Sequence, residues 1–87
     1  MTDSLPVHEE AFMAYVRCPS PTCNDRLTDF RDLQSEAEIE GARQVLLPML
    51  DGGHFVAKAF HRCGTDGCRR VQRKDNWRVG TFLPAGL

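Results

Sequence analysis

The chain contains four cysteines, arranged as two pairs of identical spacing: Cys18-Pro-Ser-Pro-Thr-Cys23 and Cys63-Gly-Thr-Asp-Gly-Cys68. Zn²⁺ accepts four thiolates at about 2.3 Å and has no d-electron preference for geometry, so two short loops approaching from opposite sides can close its shell. The predicted cofactor is one structural Zn²⁺ ion held by Cys18, Cys23, Cys63 and Cys68. A shell of four sulfurs leaves no position for water, and so it serves folding and not hydrolysis. The competing reading is a pair of disulfides, for which four cysteines allow three connectivities. The acidic opening Met1-Thr-Asp-Ser-Leu-Pro6 has no apolar signal region after it. This favours a reducing, cytoplasmic setting in which thiols stay free for metal. A thiol redox switch, releasing zinc on oxidation, is the minor alternative.

Other residues with chemistry to offer are less ordered by spacing. His8, His54 and His61 are reserve ligands that four cysteines make unnecessary. His61 is the best of them, because it lies two positions before Cys63 and would share its strand face. Glu9, Glu10, Asp25, Asp29 and Asp32 have no nucleophile or orienting partner near them in sequence. A Gly-rich phosphate loop, a G-x-S-x-G elbow and an H-E-x-x-H helix are all missing. The expectation is a protein that is not an enzyme.

Charge is divided sharply along the chain. The net value of -1 hides four basic against ten acidic residues from Met1 to Ala57, and seven basic against two acidic from Lys58 onward. Arg69, Arg70, Arg73, Lys74 and Arg78 surround Trp77, where guanidinium groups would neutralise phosphates and the indole would stack on an unpaired base. These six form the candidate nucleic-acid-binding site. The bland reading makes Trp77 and Phe82 core residues and the arginines a solvated edge. For Trp77 the core role is favoured, since a small domain needs every large apolar side chain.

The elements that must position the cysteines follow from pattern. With 87 residues, the expectation is one domain spanning 1–87, with 1–10 as a flexible N-terminus and 35–50 as a helical insertion. A core this small needs a staple, and metal binding supplies one. Phe12-Met-Ala-Tyr-Val-Arg-Cys18 predicts a strand entering the first knuckle, with a short helix over Pro6 to Ala14 as its competitor. Ser35-Glu-Ala-Glu38 matches a capping box at the start of a helix over Ser35 to Leu47. Ile39, Ala42 and Leu46 form its apolar stripe, with Val45 and Met49 beside it. Pro48 and Asp51-Gly-Gly53 end it. His54 to Arg62 then predicts a second strand delivering Cys63, and Trp77 to Leu83 a closing strand. Gly64 and Gly67 would supply positive φ in the second knuckle.

Strand, knuckle, helical insertion, strand, knuckle, strand resembles a zinc ribbon over residues 12 to 83, with a longer segment between the pairs than compact ribbons have. The fold class implied is α+β, a small antiparallel sheet with one helical insertion between the knuckles. The second knuckle and its basic sequel also resemble the small zinc-binding late-transcription activators of phages, whose first cysteine pair is closer spaced than Cys18 and Cys23. The resemblance implies non-catalytic, regulatory work: binding nucleic acid, or docking onto a larger transcription or translation protein. In the docking alternative, an adaptor or inhibitor uses the acidic N-terminal half and the helix carrying Glu36, Glu38 and Glu40. No apolar run is long enough to cross a bilayer, so no membrane partner is expected. Ribbon edge strands make a homodimer compatible with the sequence. Nine arginines against two lysines suit a GC-rich bacterial or phage genome.

Overall fold

The computed structural model describes residues 13–50 and 53–87. The reserve ligand His8, the carboxylates Glu9 and Glu10, the segment 1–10 expected to be flexible and most of the competing helix expected at Pro6 to Ala14 lie outside the described residues. So do Asp51 and Gly52.

Among the described residues, five strands form one antiparallel sheet in sequence order: β1 (Met13–Cys18), β2 (Arg26–Asp32), β3 (Phe60–Cys63), β4 (Arg70–Arg73) and β5 (Asn76–Phe82). A helix, α1 (Glu36–Leu46), and a short 3-10 turn at Leu47–Met49 fill the connection between β2 and β3. The fold is thus α+β, with the helix between the two knuckles. Each cysteine pair sits at the turn of its own hairpin, β1–β2 and β3–β4, and the two hairpins pair along β2 and β3.

Register assigns the two faces. Val16 opposes Thr28, Phe30 opposes Cys63 and His61 opposes Gln72, so these side chains share one face. That face is concave. The sheet curls until the Gln72 amide of β4 donates to the Arg17 carbonyl of β1 at 2.9 Å. Gly80 permits the close approach within the β4–β5 pair, because a Cβ there would stand 2.5 Å from the Val71 carbonyl oxygen and 2.6 Å from the Gln72 Cβ. On the concave side the four cysteines pack with Phe30 and Val16. On the convex side α1 buries Ala42 and Leu46 against Phe60, Val71 and Leu83.

The start of α1 follows its sequence signal with one change. Ser35 caps the helix, its hydroxyl accepting from the Glu38 amide at 3.1 Å. The Glu38 carboxylate does not return to the Ser35 amide, as a reciprocal capping box requires, but accepts from Gln34 one residue earlier at 2.9 Å. It also accepts from Arg31 at 2.8 Å and Arg62 at 3.0 Å, which clamps the helix to β2 and β3. These ion pairs hold its carboxyl at about 2, with the Arg31 hydrogen bonds the main cause and burial opposing.

Three expectations need correction. The strand drawn over His54 to Arg62 is confined to Phe60–Cys63 and preceded by a 3-10 turn at Ala57–Ala59, because Phe55 turns to stack on Phe60 at 5.5 Å. The sequence pattern places no strand between the first knuckle and the helix, where β2 lies. Basic residues around Cys68 are not all surface either, since β4 passes through the interior with Arg70, Val71 and Gln72 buried.

Candidate metal centre

The first knuckle is a tight loop closed on its own backbone. Cys23 and Asn24 amides donate to the Ser20 carbonyl at 3.2 and 2.7 Å, and the Asp25 amide returns to the Cys18 carbonyl at 2.9 Å. Pro19 and Pro21 pre-set φ for the descent. The chain leaves through Asn24 and Asp25 at φ 59° and 65°, the left-handed region that these two side chains tolerate. In the second knuckle the same need is met by Gly67 at φ 81°, while Gly64, contrary to expectation, is not left-handed. The Cys68 amide closes this loop on the Thr65 carbonyl at 3.0 Å.

These loops bring all four sulfurs within 4.8 Å of one another. Cys18 and Cys68 stand 3.6 Å apart, as do Cys23 and Cys63, so the close pairs join the two hairpins. A tetrahedron with arms of about 2.3 Å has edges of about 3.8 Å, and the cluster matches that size. A disulfide requires about 2.05 Å, and all four thiols are free and buried. The four cysteines are placed to bind one metal ion, and among the described residues no further His, Cys, Asp or Glu joins the cluster.

The surroundings suit deprotonated sulfur. Backbone hydrogen bonds reach Cys18 from Ser20, Cys63 from Thr65 and Cys68 from Arg70, each donor two residues after its cysteine. The Ser20 hydroxyl, itself buried, lies 3.2 Å from both Cys18 and Cys68, and Thr28 lies 3.1 Å from Cys63. Burial is the main cause that pushes the Cys18 thiol up to about 12 and Cys68 upward, with hydrogen bonds from Ser20 opposing it at both. At Cys63 burial acts the same way, but hydrogen bonds from Thr28 and Thr65 outweigh it and bring the thiol down to about 7. Thiols raised by burial ionise when a cation coordinates them. Arg70 adds a buried positive charge beside Cys18 and Cys68, partly offsetting the negative charge of four thiolates around a divalent ion.

The remaining sequence-predicted residues fall in several places. His61 is buried on the concave face, its ring 4.6 Å from Phe30, and does not join the cluster. Burial, with Lys74 second, holds it down to about 4, and its Nε2 has no hydrogen-bond partner among the described residues. His54 is exposed. Asp25 pairs with Arg17 at 3.3 Å and Asp32 with Lys74 at 2.7 Å. Arg70 is 7% exposed and donates to Gln72 and the Trp77 carbonyl. Arg69 is exposed, with one nitrogen on the Leu83 carbonyl at 3.1 Å. Trp77 is half-buried, with Arg17 and Arg78 guanidiniums 4.5 and 4.9 Å from its ring centroid. Phe82 is 40% exposed, outside the core.

Sequence reasoning missed Ser20, Thr28 and Thr65 as groups that contact sulfur, and the Arg62–Glu38 link. Ser20 and Thr65 stand at the second position after a leading cysteine, where the knuckle turns its groups toward sulfur. Thr28 carries no such local signal, because only the β2–β3 register brings it to Cys63. Comparison with family models, with curated proteins and with solved structures finds no match, so the site is read from its geometry alone.

Proposed function

We propose that this chain is a non-catalytic module built on one structural zinc ion, and that it binds nucleic acid through its β4–β5 edge. The closed, buried four-sulfur cluster carries the first half. Soft thiolates suit zinc, iron and copper(I), and zinc is the reading preferred for a tetrathiolate with no cofactor chemistry around it. Elemental analysis of protein purified under reducing conditions tests this: one zinc per chain supports it, and iron or no metal overturns it.

The second half is supported by cations on the β4–β5 edge that remain outside the core. Arg69, Lys74 and Arg78 are exposed and Arg73 is half-buried; Arg73, Lys74 and Arg78 line one cleft with Trp77, while Arg69 lies at the knuckle end of the hairpin, on the Leu83 carbonyl. Arg70 is withdrawn from the set, being committed to the interior. Fluorescence anisotropy with a single-stranded oligonucleotide at two salt concentrations is the test. Binding that weakens with salt and is lost in Arg69→Glu/Arg78→Glu supports the reading; no binding at low salt overturns it.

A second reading, a protein-docking adaptor, rests on a different observation. Tyr15 and Leu27 are 67% and 54% exposed and lie diagonally on the convex face of β1–β2, which α1 does not cover. Of the three acidic helix residues assigned to docking, Glu38 is spent on Arg31 and Arg62, which leaves Glu36 and Glu40. Loss of a purified partner on Tyr15→Ser/Leu27→Ser, with no oligonucleotide affinity, would favour this reading.

A further inference from the structure

Away from the cysteines, the concave face holds a cleft of about 230 Å³. Val16 and Trp77 supply apolar walls, His61 lies at the floor, and Arg73, Lys74 and Arg78 stand on the rim. Three lining cations face two carboxylates, Asp75 in the lining and Asp32 on Lys74, which leaves the cleft positive by one charge in a chain whose net charge is -1. Its volume falls below the 300 Å³ or so at which drug-sized pockets begin, which suits a compact charged group.

Two features indicate a ligand. The His61 Nε2 is buried with no hydrogen-bond partner among the described residues, and an orphaned buried polar atom costs free energy unless something pairs with it. The rim cations are also free to exchange. Arg73 pairs with Asp75 at 2.9 Å and Lys74 with Asp32 at 2.7 Å, both at positions open enough to solvent that such pairs contribute little. Arg78 has no carboxylate partner among the described residues and rests on the Trp77 ring. A doubly charged oxyanion would compete for all three.

We propose that this cleft is a phosphate site, in which Arg73, Lys74 and Arg78 hold a nucleotide phosphate group and the His61 Nε2 is its inner partner. The choice of a nucleotide rests on the nucleic-acid reading above; the anion chemistry does not. Trp77, the sole tryptophan of the chain, lines the cleft and reports on its occupancy.

The experiment titrates the zinc-loaded protein with inorganic phosphate, a nucleoside monophosphate and a single-stranded oligonucleotide, following Trp77 emission and calorimetric heat. All three are expected to shift the emission, saturably. Affinity for the monophosphate should fall about tenfold or more in His61→Phe, which keeps a ring against Phe30, and in Arg78→Gln, an exposed position that guards against misfolding. No saturable response to phosphate or monophosphate overturns the site and leaves water as the partner of His61. Oligonucleotide binding insensitive to both substitutions also overturns it, while sparing the nucleic-acid reading. Monophosphate binding without oligonucleotide binding sustains the site and defeats that reading.

Discussion

The two hairpins start from the same instruction, a strand, an arginine and a C-x4-C loop, and build different surroundings with it. In β1–β2 the arginine before the cysteine, Arg17, is exposed, reaching Asp25 and the Trp77 ring. In β3–β4 its counterpart, Arg62, is 7% exposed and bridges Glu38, the Leu87 carbonyl and the Cys68 carbonyl. The difference is α1. The helix lies over the second hairpin and leaves the first bare, so the same position is solvated in one and structural in the other. Repeated sequence places the four cysteines, while the insertion between the repeats decides the surroundings of the arginine that precedes each pair.

The largest expected effect erases the comparison. Both hairpins contribute two sulfurs, so Cys23→Ser and Cys63→Ser should be equally damaging. Structural zinc contributes on the order of 10 kcal/mol of apparent folding free energy in small peptides, more than a domain of this size has to spare. A strong chelator should therefore abolish the circular dichroism of both hairpins in one transition. Loss of one hairpin with the other retained would show that the convex core stands without metal.

The next effect is confined to the second hairpin. Glu38→Gln removes the charge opposite Arg31 and the buried Arg62, and a broken buried pair costs about 3 kcal/mol. Urea unfolding of the zinc-loaded protein at pH 7 should show it, with exposed Glu40→Gln as a nearly silent control. The pH dependence has a definite sign. The Glu38 carboxyl is held at about 2 in the fold against an ordinary value of 4.5, so its contribution is complete above pH 4.5 and is lost as pH falls toward 2. The gap between wild type and variant should be flat from pH 7 to 5 and narrow only below that window.

What could be read in the sequence divides along the same line. The cysteines, β1, the Ser35 cap and the Ala42/Leu46 stripe were legible because each is a local pattern. β2 was not, since Arg26-Leu27-Thr28-Asp29-Phe30 carries one buried apolar residue, Phe30, and an exposed one, Leu27, and its charged residues suggest a loop. β4 was hidden for the converse reason: Arg70 and Gln72 are interior side chains that satisfy each other, and a polar strand paired with itself has no hydropathic signature. The fate of each rim cation likewise depended on long-range register.

A smaller effect separates the hydroxyls that touch sulfur. Ser20 contacts one sulfur from each hairpin, and Thr28 contacts Cys63 alone. Groups of this kind typically change metal affinity by about 10- to 100-fold. Ser20→Ala should lie toward the upper end and Thr28→Val toward the lower, measured by competition with a chromophoric chelator. The reverse order would mean that the low thiol value at Cys63, which Thr28 sustains, governs zinc retention.

The smallest effect belongs to the first hairpin's own ion pair. Arg17 and Asp25 are roughly half exposed at 3.3 Å, and exposed pairs contribute about 0.2–1 kcal/mol at most. Asp25→Asn removes the charge but keeps a side chain that tolerates φ 65°, so urea unfolding should register a change within about 0.5 kcal/mol. Asp25→Val keeps neither, and strain at a left-handed β-branched residue should cost more than the lost charge. If Asn proved as damaging as Val, Arg17 would be as deeply engaged as Arg62, and the asymmetry between the hairpins would be one of appearance only.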